Sequence, residues 1–304
     1  MNIPGNPRND GRRLILMAGQ ISRPPFDLTT ARAVEAIPGP GALPGGCQYE
    51  PKWDGWRAQI VLARGSVRVW SRQNKDLTRW FPELLGPLTE QVHEDCVFDG
   101  EIVIWRNDRL DFDALQQRLG TGTAKAKSLA VEAPASYVAF DLLHLMGQDL
   151  RGYHLRDRRA LLEQLAEDFA PPLQISPTTT DLDEAQAWFR DLPDIGIEGL
   201  VVKGLDQPAY QGRGQQRSWL KVKHRNSLDV CAAVIGPRTK PLSLVIGFPV
   251  NGRLRIVGRS TRLSPGAARQ LGTLLLAPVK GHPGLSVFPR EPWTASTGAT
   301  NQSA

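Results

Sequence analysis

The tightest constraint on the fold is a paired pattern around Arg64-Gly65. Ala58-Gln59-Ile60-Val61-Leu62 precedes this turn dipeptide and Val67-Arg68-Val69-Trp70-Ser71 follows it. Two short apolar-rich runs joined by so brief a turn specify an antiparallel hairpin. The second run alternates apolar and polar residues, as a sheet with one wet face does. Two later runs, Val97–Trp105 and Tyr137–Leu145, also read as strands, the second apolar and buried. The first of them contains Asp99-Gly100, a common hairpin-turn dipeptide, yet apolar residues continue straight through it. A turn and an unbroken strand therefore stay equally open. As a strand, it sets Asp99 and Glu101 on one face, where two carboxylates repel unless a cation or polar ligand lies between them.

Directly before the hairpin stands Tyr49-Glu50-Pro51-Lys52-Trp53-Asp54-Gly55-Trp56-Arg57. An amine attacks an electrophile only when deprotonated, so a nucleophilic lysine needs burial or neighbouring cations. The two tryptophans and Arg57 are able to supply them. These residues alone fit a solvated Lys52–Asp54 charge pair more readily than a nucleophile, and the rest of the chain has to decide.

A length of 304 residues points to two domains. Residues 1–47 are rich in Pro and Gly and read as an extended lead-in; 48–225 form one domain, 226–285 a second, and 286–304 a disordered polar tail. The patterns predict helices over Pro82–Gln91, Asp113–Leu119, Leu155–Phe169, Asp181–Leu192 and Pro265–Leu276. Gly120–Pro134 reads as a small-residue loop. Its Gly-Thr-Gly and Lys-Ala-Lys-Ser suggest a phosphate loop but fail the required spacing. Strands are predicted at Gly199–Lys203 and Trp219–Lys223, the latter with Lys221 and Lys223 on one face, which suits a wet sheet face as well as a phosphate site. Three more are predicted at Ala232–Ile235, Ser243–Pro249 and Arg253–Arg259, the last two joined by Asn251-Gly252. Three strands and a helix resemble the start of a five-stranded oligonucleotide-binding barrel.

Residues 226–304 hold nine Arg and Lys against Asp229 and Glu291, more than the whole net charge of +6. Such asymmetry points to a polyanion partner for this part of the chain. Three well-separated cysteines argue against a disulfide framework or a zinc ribbon and suggest a reducing cytosol. No apolar run has the length of a membrane span, and the Leu14–Met17 run is too short for a signal-peptide core.

The order of the motifs is more telling than any one of them. The chain gives Glu-x-Lys-x-Asp-Gly-x-Arg at 50–57, Ser-Arg-Gln-Asn at 71–74, Phe-Asp-Gly-Glu at 98–101, Phe-Asp-Leu-Leu at 140–143, Glu-Gly-Leu-Val-Val-Lys at 198–203 and Trp-Leu-Lys-Val-Lys at 219–223. This series resembles the nucleotidyltransferase motifs of ATP-dependent DNA ligases, most closely the compact bacterial repair type. The resemblance implies an α+β fold: a nucleotidyltransferase domain of ATP-grasp-like antiparallel sheets with flanking helices, then a truncated OB-fold barrel. It implies that Lys52 is the nucleophile that takes AMP from ATP. It further implies that Glu50 receives the adenine amine, Phe140 stacks on the base, and Arg57 and Arg72 contact sugar and phosphate. Lys203, Lys221 and Lys223 become phosphate-binding lysines. Glu101 and Glu198 become the carboxylates tied to Mg²⁺, with Mn²⁺ a substitute, and Glu101 also meets the nucleotide. Asp54 and Asp99 become supporting groups. Arg72, Arg253, Arg255 and Arg259 are candidate DNA contacts. The implied partners are nicked duplex DNA and a DNA end-binding repair factor, met by a monomer in the nucleoid-associated cytoplasm.

Two departures from the pattern stand out. The Arg-x-Asp-Lys-type element that such ligases carry near the C-terminus has no match, only Arg290-Glu291-Pro292-Trp293 and a polar tail. Residues 1–48 are also too few and too rich in Pro and Gly for a helical DNA-binding domain. A non-catalytic adenylate- or nick-binding protein therefore remains an alternative, as does an RNA ligase or capping-type nucleotidyltransferase.

Overall fold

The computed structural model describes residues 24–206, 219–224, 231–250 and 253–275. The chain divides into two compact units, Met1–His224 and Arg225–Ala304. In the first, the strands are β1 (Arg32–Ala33), β2 (Cys47–Pro51), β3 (Trp56–Ala63), β4 (Ser66–Ser71), β5 (Cys96–Arg106), β6 (Arg109–Leu110), β7 (Ala135–Leu145), β8 (Gln148–Asp149), β9 (Leu173–Ile175), β10 (Gly199–Gly204) and β11 (Trp219–Lys223). The helices are α1 (Leu85–Gln91), α2 (Phe112–Arg118), α3 (Thr123–Glu132), α4 (Leu155–Leu165) and α5 (Leu182–Asp191).

The predicted hairpin is β3–β4, paired from Ala58↔Ser71 to Ala63↔Ser66. Arg64 and Gly65 both sit at positive φ, 52° and 71°, the turn conformation whose twist matches the strands. It seeds a seven-stranded sheet with the path β4-β3-β5-β7-β8, β6 pairing with β5 and β9 with β7. Asp99-Gly100 is no turn. β5 runs unbroken through it, and the ladder absorbs a register shift there against β7. Gly100 is needed for close approach: a Cβ would lie 2.5 Å from both the Tyr137 ring and the Val138 carbonyl oxygen. Tyr137 passes over that gap, and its hydroxyl donates to the Ala58 carbonyl at 3.1 Å.

Both faces of this sheet are covered. Ile60, Phe98 and Leu142 point into the main core with Leu84, Leu88, Leu115 and Leu162 from the helical side. Their alternates Val61, Val97 and Leu143 pack with Phe26, Leu28 and Trp219. Trp219 belongs to a second, four-stranded sheet, β1-β11-β10-β2, so this smaller cluster cements one sheet to the other.

Three expectations need revision. The segment predicted as a loop over Gly120–Pro134 contains α3. Ala, Lys, Leu and Glu are strong helix formers, and Ala126, Leu129 and Ala130 bury one face at helical spacing. The helix predicted to reach Phe169 ends at Leu165, and the one predicted from Pro82 opens as a 3-10 turn before α1. The described part of the lead-in, extended as predicted, is packed into the first unit. Phe26 and Leu28 are buried, and the Gln59 side-chain amide accepts from Phe26 N at 2.8 Å and donates to Phe26 O at 2.7 Å.

The described residues of the second unit form an antiparallel sheet of β12 (Cys231–Ile235), β13 (Ser243–Val250) and β14 (Arg253–Arg259), followed by α6 (Pro265–Leu274). Asn251-Gly252 and the C-terminal Arg290–Trp293 segment lie outside the described residues.

Candidate functional site

The four-stranded sheet gathers one set of side chains by register alone. Val201 stands opposite Glu50 on β2 and Lys221 on β11, while Lys203 stands opposite Trp219. Alternation puts all five on one face. That face, with Thr30 and Ala31 of the lead-in and Phe140, Arg57 and Glu101 of the larger sheet, lines an inner cavity of about 170 Å³. An outer cavity of about 620 Å³ is lined by Trp53, Asp54, Trp56, Arg72, Glu198 and Lys223 among others. The two share Lys52, Trp53, Arg57, Arg72 and Glu101. Lys52 therefore stands at the junction between them.

The backbone fixes Lys52 there. Its N–H donates to Gly199 O at 2.8 Å, and Glu198 N–H donates to Lys52 O at 3.0 Å. The chain just past β2 is thereby tied to the start of β10, which puts Glu198 beside the lysine. Lys52 Nζ lies 2.7 Å from Glu198 Oε2, and Lys223 Nζ lies 2.8 Å from the same oxygen. Burial raises the Glu198 carboxyl, but hydrogen bonds from Lys223 and Lys52 outweigh it and hold the group below its ordinary range. Gly55 makes the turn into β3 possible, since a Cβ would stand 2.3 Å from Ile102 O and 2.8 Å from Glu101 Cγ.

Arg57 is engaged within the fold. Its Nε and Nη2 donate to the two oxygens of buried Asp99 at 3.0 and 2.6 Å, and Nη1 donates to the Thr29 carbonyl. This fork is the cation between the two carboxylates of β5, and it clamps the lead-in to the sheet. The sugar and phosphate contact implied for Arg57 thus falls to a group that already has a structural task. Glu101, paired opposite Arg57 in the ladder, is pushed up to about 8 by burial, against the pull of Lys52 and Arg57. Burial, with Lys52, Lys223 and Arg72 as neighbours, lowers Lys221.

Lys203, implied as a phosphate-binding lysine, is also engaged within the fold. It is buried, with Nζ 2.8 Å from Glu50 Oε2 and 3.3 Å from Phe140 O. It also lies over the rings of Phe140 and Trp219, 4.6 and 4.3 Å from their centroids. Gln48 Nε2 donates to the other Glu50 oxygen at 2.8 Å. Lys203 therefore holds Glu50 in place at the floor of the inner cavity, which it also lines.

Trp219, Val201, Thr30 and Ala31 escaped the sequence reading. Two-residue periodicity could have found Trp219, two before Lys221, and Val201, two before Lys203. No signal marked Thr30 or Ala31 within the Pro-rich lead-in. Arg72 lines both cavities. The implied DNA-contact set Arg253, Arg255 and Arg259 lies on β14 in the second unit, and a register irregularity divides it. Arg255 pairs with Phe248 and Arg259 with Val245, which lie on opposite faces of β13. Arg259 Nε donates to Ser243 Oγ at 3.0 Å.

Among the described residues, no three His, Cys, Asp or Glu side chains gather into a metal cage. Glu101 and Glu198 offer hard oxygen donors instead. That set suits a cation which keeps several waters and takes phosphate oxygens from its substrate. Chemically, the site is a narrow slot with an apolar face, one anchored carboxylate at its floor and cations at its mouth.

Residues 41–223 match the family described as the ATP-dependent DNA ligase domain. The chain is similar to DNA ligase C2 of Mycolicibacterium smegmatis, 40% identical over 191 residues that cover 63% of this chain and 53% of the relative. It is also similar to DNA ligase C of Mycobacterium tuberculosis, 33% identical over 290 residues that cover 92% of this chain and 76% of the relative. Among solved structures it resembles the ligase domain of M. tuberculosis LigD, with a TM-score of 0.53 at 30% identity, covering 82% of this chain and 77% of that one. The chain thus spans about half of the first relative's length and about three quarters of the second's. No helix among the described residues is long and apolar enough to cross a membrane.

Proposed function

We propose that this chain, which belongs to the ATP-dependent DNA ligase family, seals nicks in duplex DNA by way of AMP carried on Lys52. The observation that carries the reading is the position of Lys52. It stands where a base-sized slot opens into a wider, cation-lined cavity, within reach of Glu198 and Lys223.

ATP enters with its adenine in the inner cavity, between Phe140 and Val201, and its exocyclic amine donates to Glu50. The α-phosphorus then faces Lys52. Attack forms the Nζ–P bond and breaks the bond from phosphorus to the bridging oxygen, so pyrophosphate leaves. Lys52 must react as the free amine, so its pair with Glu198 describes the resting site and opens first. Lys223 then keeps Glu198 paired, and the carboxylate is not left alone. Lys221, Lys223 and Arg72 stabilise charge on the transferring phosphate. Glu101 and Glu198 would hold Mg²⁺ or Mn²⁺, which supplies charge neutralisation at the phosphate oxygens when bound. The 5′-phosphate of the nick next displaces Lys52 from AMP, and the 3′-hydroxyl displaces AMP to form the phosphodiester. Each transfer asks for in-line placement and electrostatic support more than for acid–base catalysis.

We read the three strands and helix of the second unit as part of an oligonucleotide-binding barrel, with Arg255 and Arg259 among its DNA contacts. Nicked duplex DNA is the substrate, and repair, in company with a DNA end-binding factor, is the setting. The test is nick sealing by the purified chain with ATP and Mg²⁺, with GTP and with an RNA nick as comparisons. Ligation of the DNA nick with ATP alone supports the reading. Nick binding without sealing or label on the protein would replace it with a binding role, and preference for GTP or RNA would move it to a related nucleotidyltransferase.

A further inference from the structure

Beside the outer cavity runs a groove of about 540 Å³ that shares Asp76 and Trp80 with it. Its cations come from separate parts of the chain. β4 and the turn after it give Arg68 and Arg79, and α3 gives Lys127, with Thr78 and Thr123 as hydroxyls between them. The Lys-Ala-Lys-Ser stretch that fails as a phosphate loop is thus one turn of a helix, with Ala126 buried and Lys127 exposed at the groove. From Ser66 to Trp80 the sequence carries Arg68, Arg72, Lys75 and Arg79 against Asp76 alone. Asp76 is itself ion-paired to Arg68 at 3.1 Å. The Arg79 guanidinium lies 4.0 Å over the Trp80 ring, which covers the aromatic face that would otherwise invite a stacked base.

We propose that this groove binds the sugar–phosphate backbone of duplex DNA flanking the nick, as the continuation of the Arg72–Lys75 line that leaves the outer cavity. The inference rests on the ligase reading, because the substrate's reacting phosphate has to lie at that cavity. Three features favour a DNA backbone over an acidic protein. The groove opens into the site where the nick must sit. Its polar groups are three cations and two hydroxyls of the kind that meet phosphates, and its one carboxylate, Asp76, is already paired with Arg68. Its one aromatic ring is taken up by Arg79. Interactions of this type position a duplex without reading its sequence.

The test uses the full chain and measures affinity for a nicked duplex across a salt series, together with self-labelling from ATP. The variants are Arg79→Ala, Lys127→Ala, their double, Lys127→Glu and the charge-conserving Arg79→Lys. Both side chains are exposed and neither lines the nucleotide cavities, so labelling from ATP is expected to match wild type. DNA affinity is expected to fall several-fold, most for Lys127→Glu. The slope of log affinity against log salt is expected to shrink by about 0.9 for each phosphate that a variant no longer neutralises. Arg79→Lys keeps the wild-type slope if its charge meets a phosphate, whereas a wild-type slope in Arg79→Ala would show that Arg79 only covers Trp80. Unchanged affinity and slope in the double variant, with labelling intact, would overturn the groove assignment. Failure of the wild type to label from ATP would overturn the ligase reading beneath it.

Discussion

Lys52–Glu198 and Lys203–Glu50 are the same ion pair in two settings. Their separations are alike, 2.7 and 2.8 Å, but the side chains are 23% and 28% exposed in the first pair and 1% and 3% in the second. The buried pair is closed: Glu50 also accepts from Gln48, and Lys203 lies against two aromatic rings. The partly open pair shares its carboxylate with Lys223, so one lysine can leave without stranding a charge. Burial therefore distinguishes two chemically identical lysines: Lys203 is locked to Glu50, while the Lys52 pair can open, as the proposed AMP transfer requires.

Breaking each pair gives the sharpest tests. Lys52→Ala is expected to drop labelling from ATP to background while leaving the thermal melt nearly unchanged. Lys203→Met leaves Glu50 buried without its counter-charge, which costs about 3–5 kcal/mol and should appear as a large fall in the denaturant midpoint. Adding Glu50→Gln should recover about 1–3 kcal/mol of that loss. A single Lys203→Met variant as stable as wild type would contradict the closed pair.

A smaller effect follows from Glu101. Held at about 8 in the fold against an ordinary 4.5, it binds its proton more tightly folded than unfolded. Its contribution to stability is therefore fully present below about pH 4.5 and is lost as pH rises through about 8. The melting temperature of Glu101→Gln should gain on wild type progressively across that window, and parallel curves would count against the burial argument. The smallest effect belongs to the exposed Arg68–Asp76 pair. Arg68→Ala should change stability by less than about 1 kcal/mol.

The sequence carried what two-residue periodicity could carry. The β3–β4 hairpin and the shared face of Lys221 and Lys223 followed from alternation and turn residues. The Glu50–Lys203 pair did not, because cross-strand register between distant segments leaves no local mark. α3 hid behind Gly-Thr-Gly, whose turn chemistry outweighed the helix formers after it. The shift in β13–β14 pairing could not be foreseen either, so three arginines at even spacing looked like one set. Phe26 and Leu28 lay in a Pro-rich stretch whose composition argued for a loose lead-in, yet long-range burial decided their place.

The claim that burial separates the reacting lysine from the structural one is tested most directly by mapping AMP on the protein. Wild-type chain incubated with ATP and Mg²⁺ would be digested under conditions that preserve a phosphoramide, and its peptides weighed. The mass of AMP is predicted on the peptide containing Lys52 and on no other. AMP on the peptide containing Lys203, or no adenylated peptide from a chain that still seals nicks, would contradict the account.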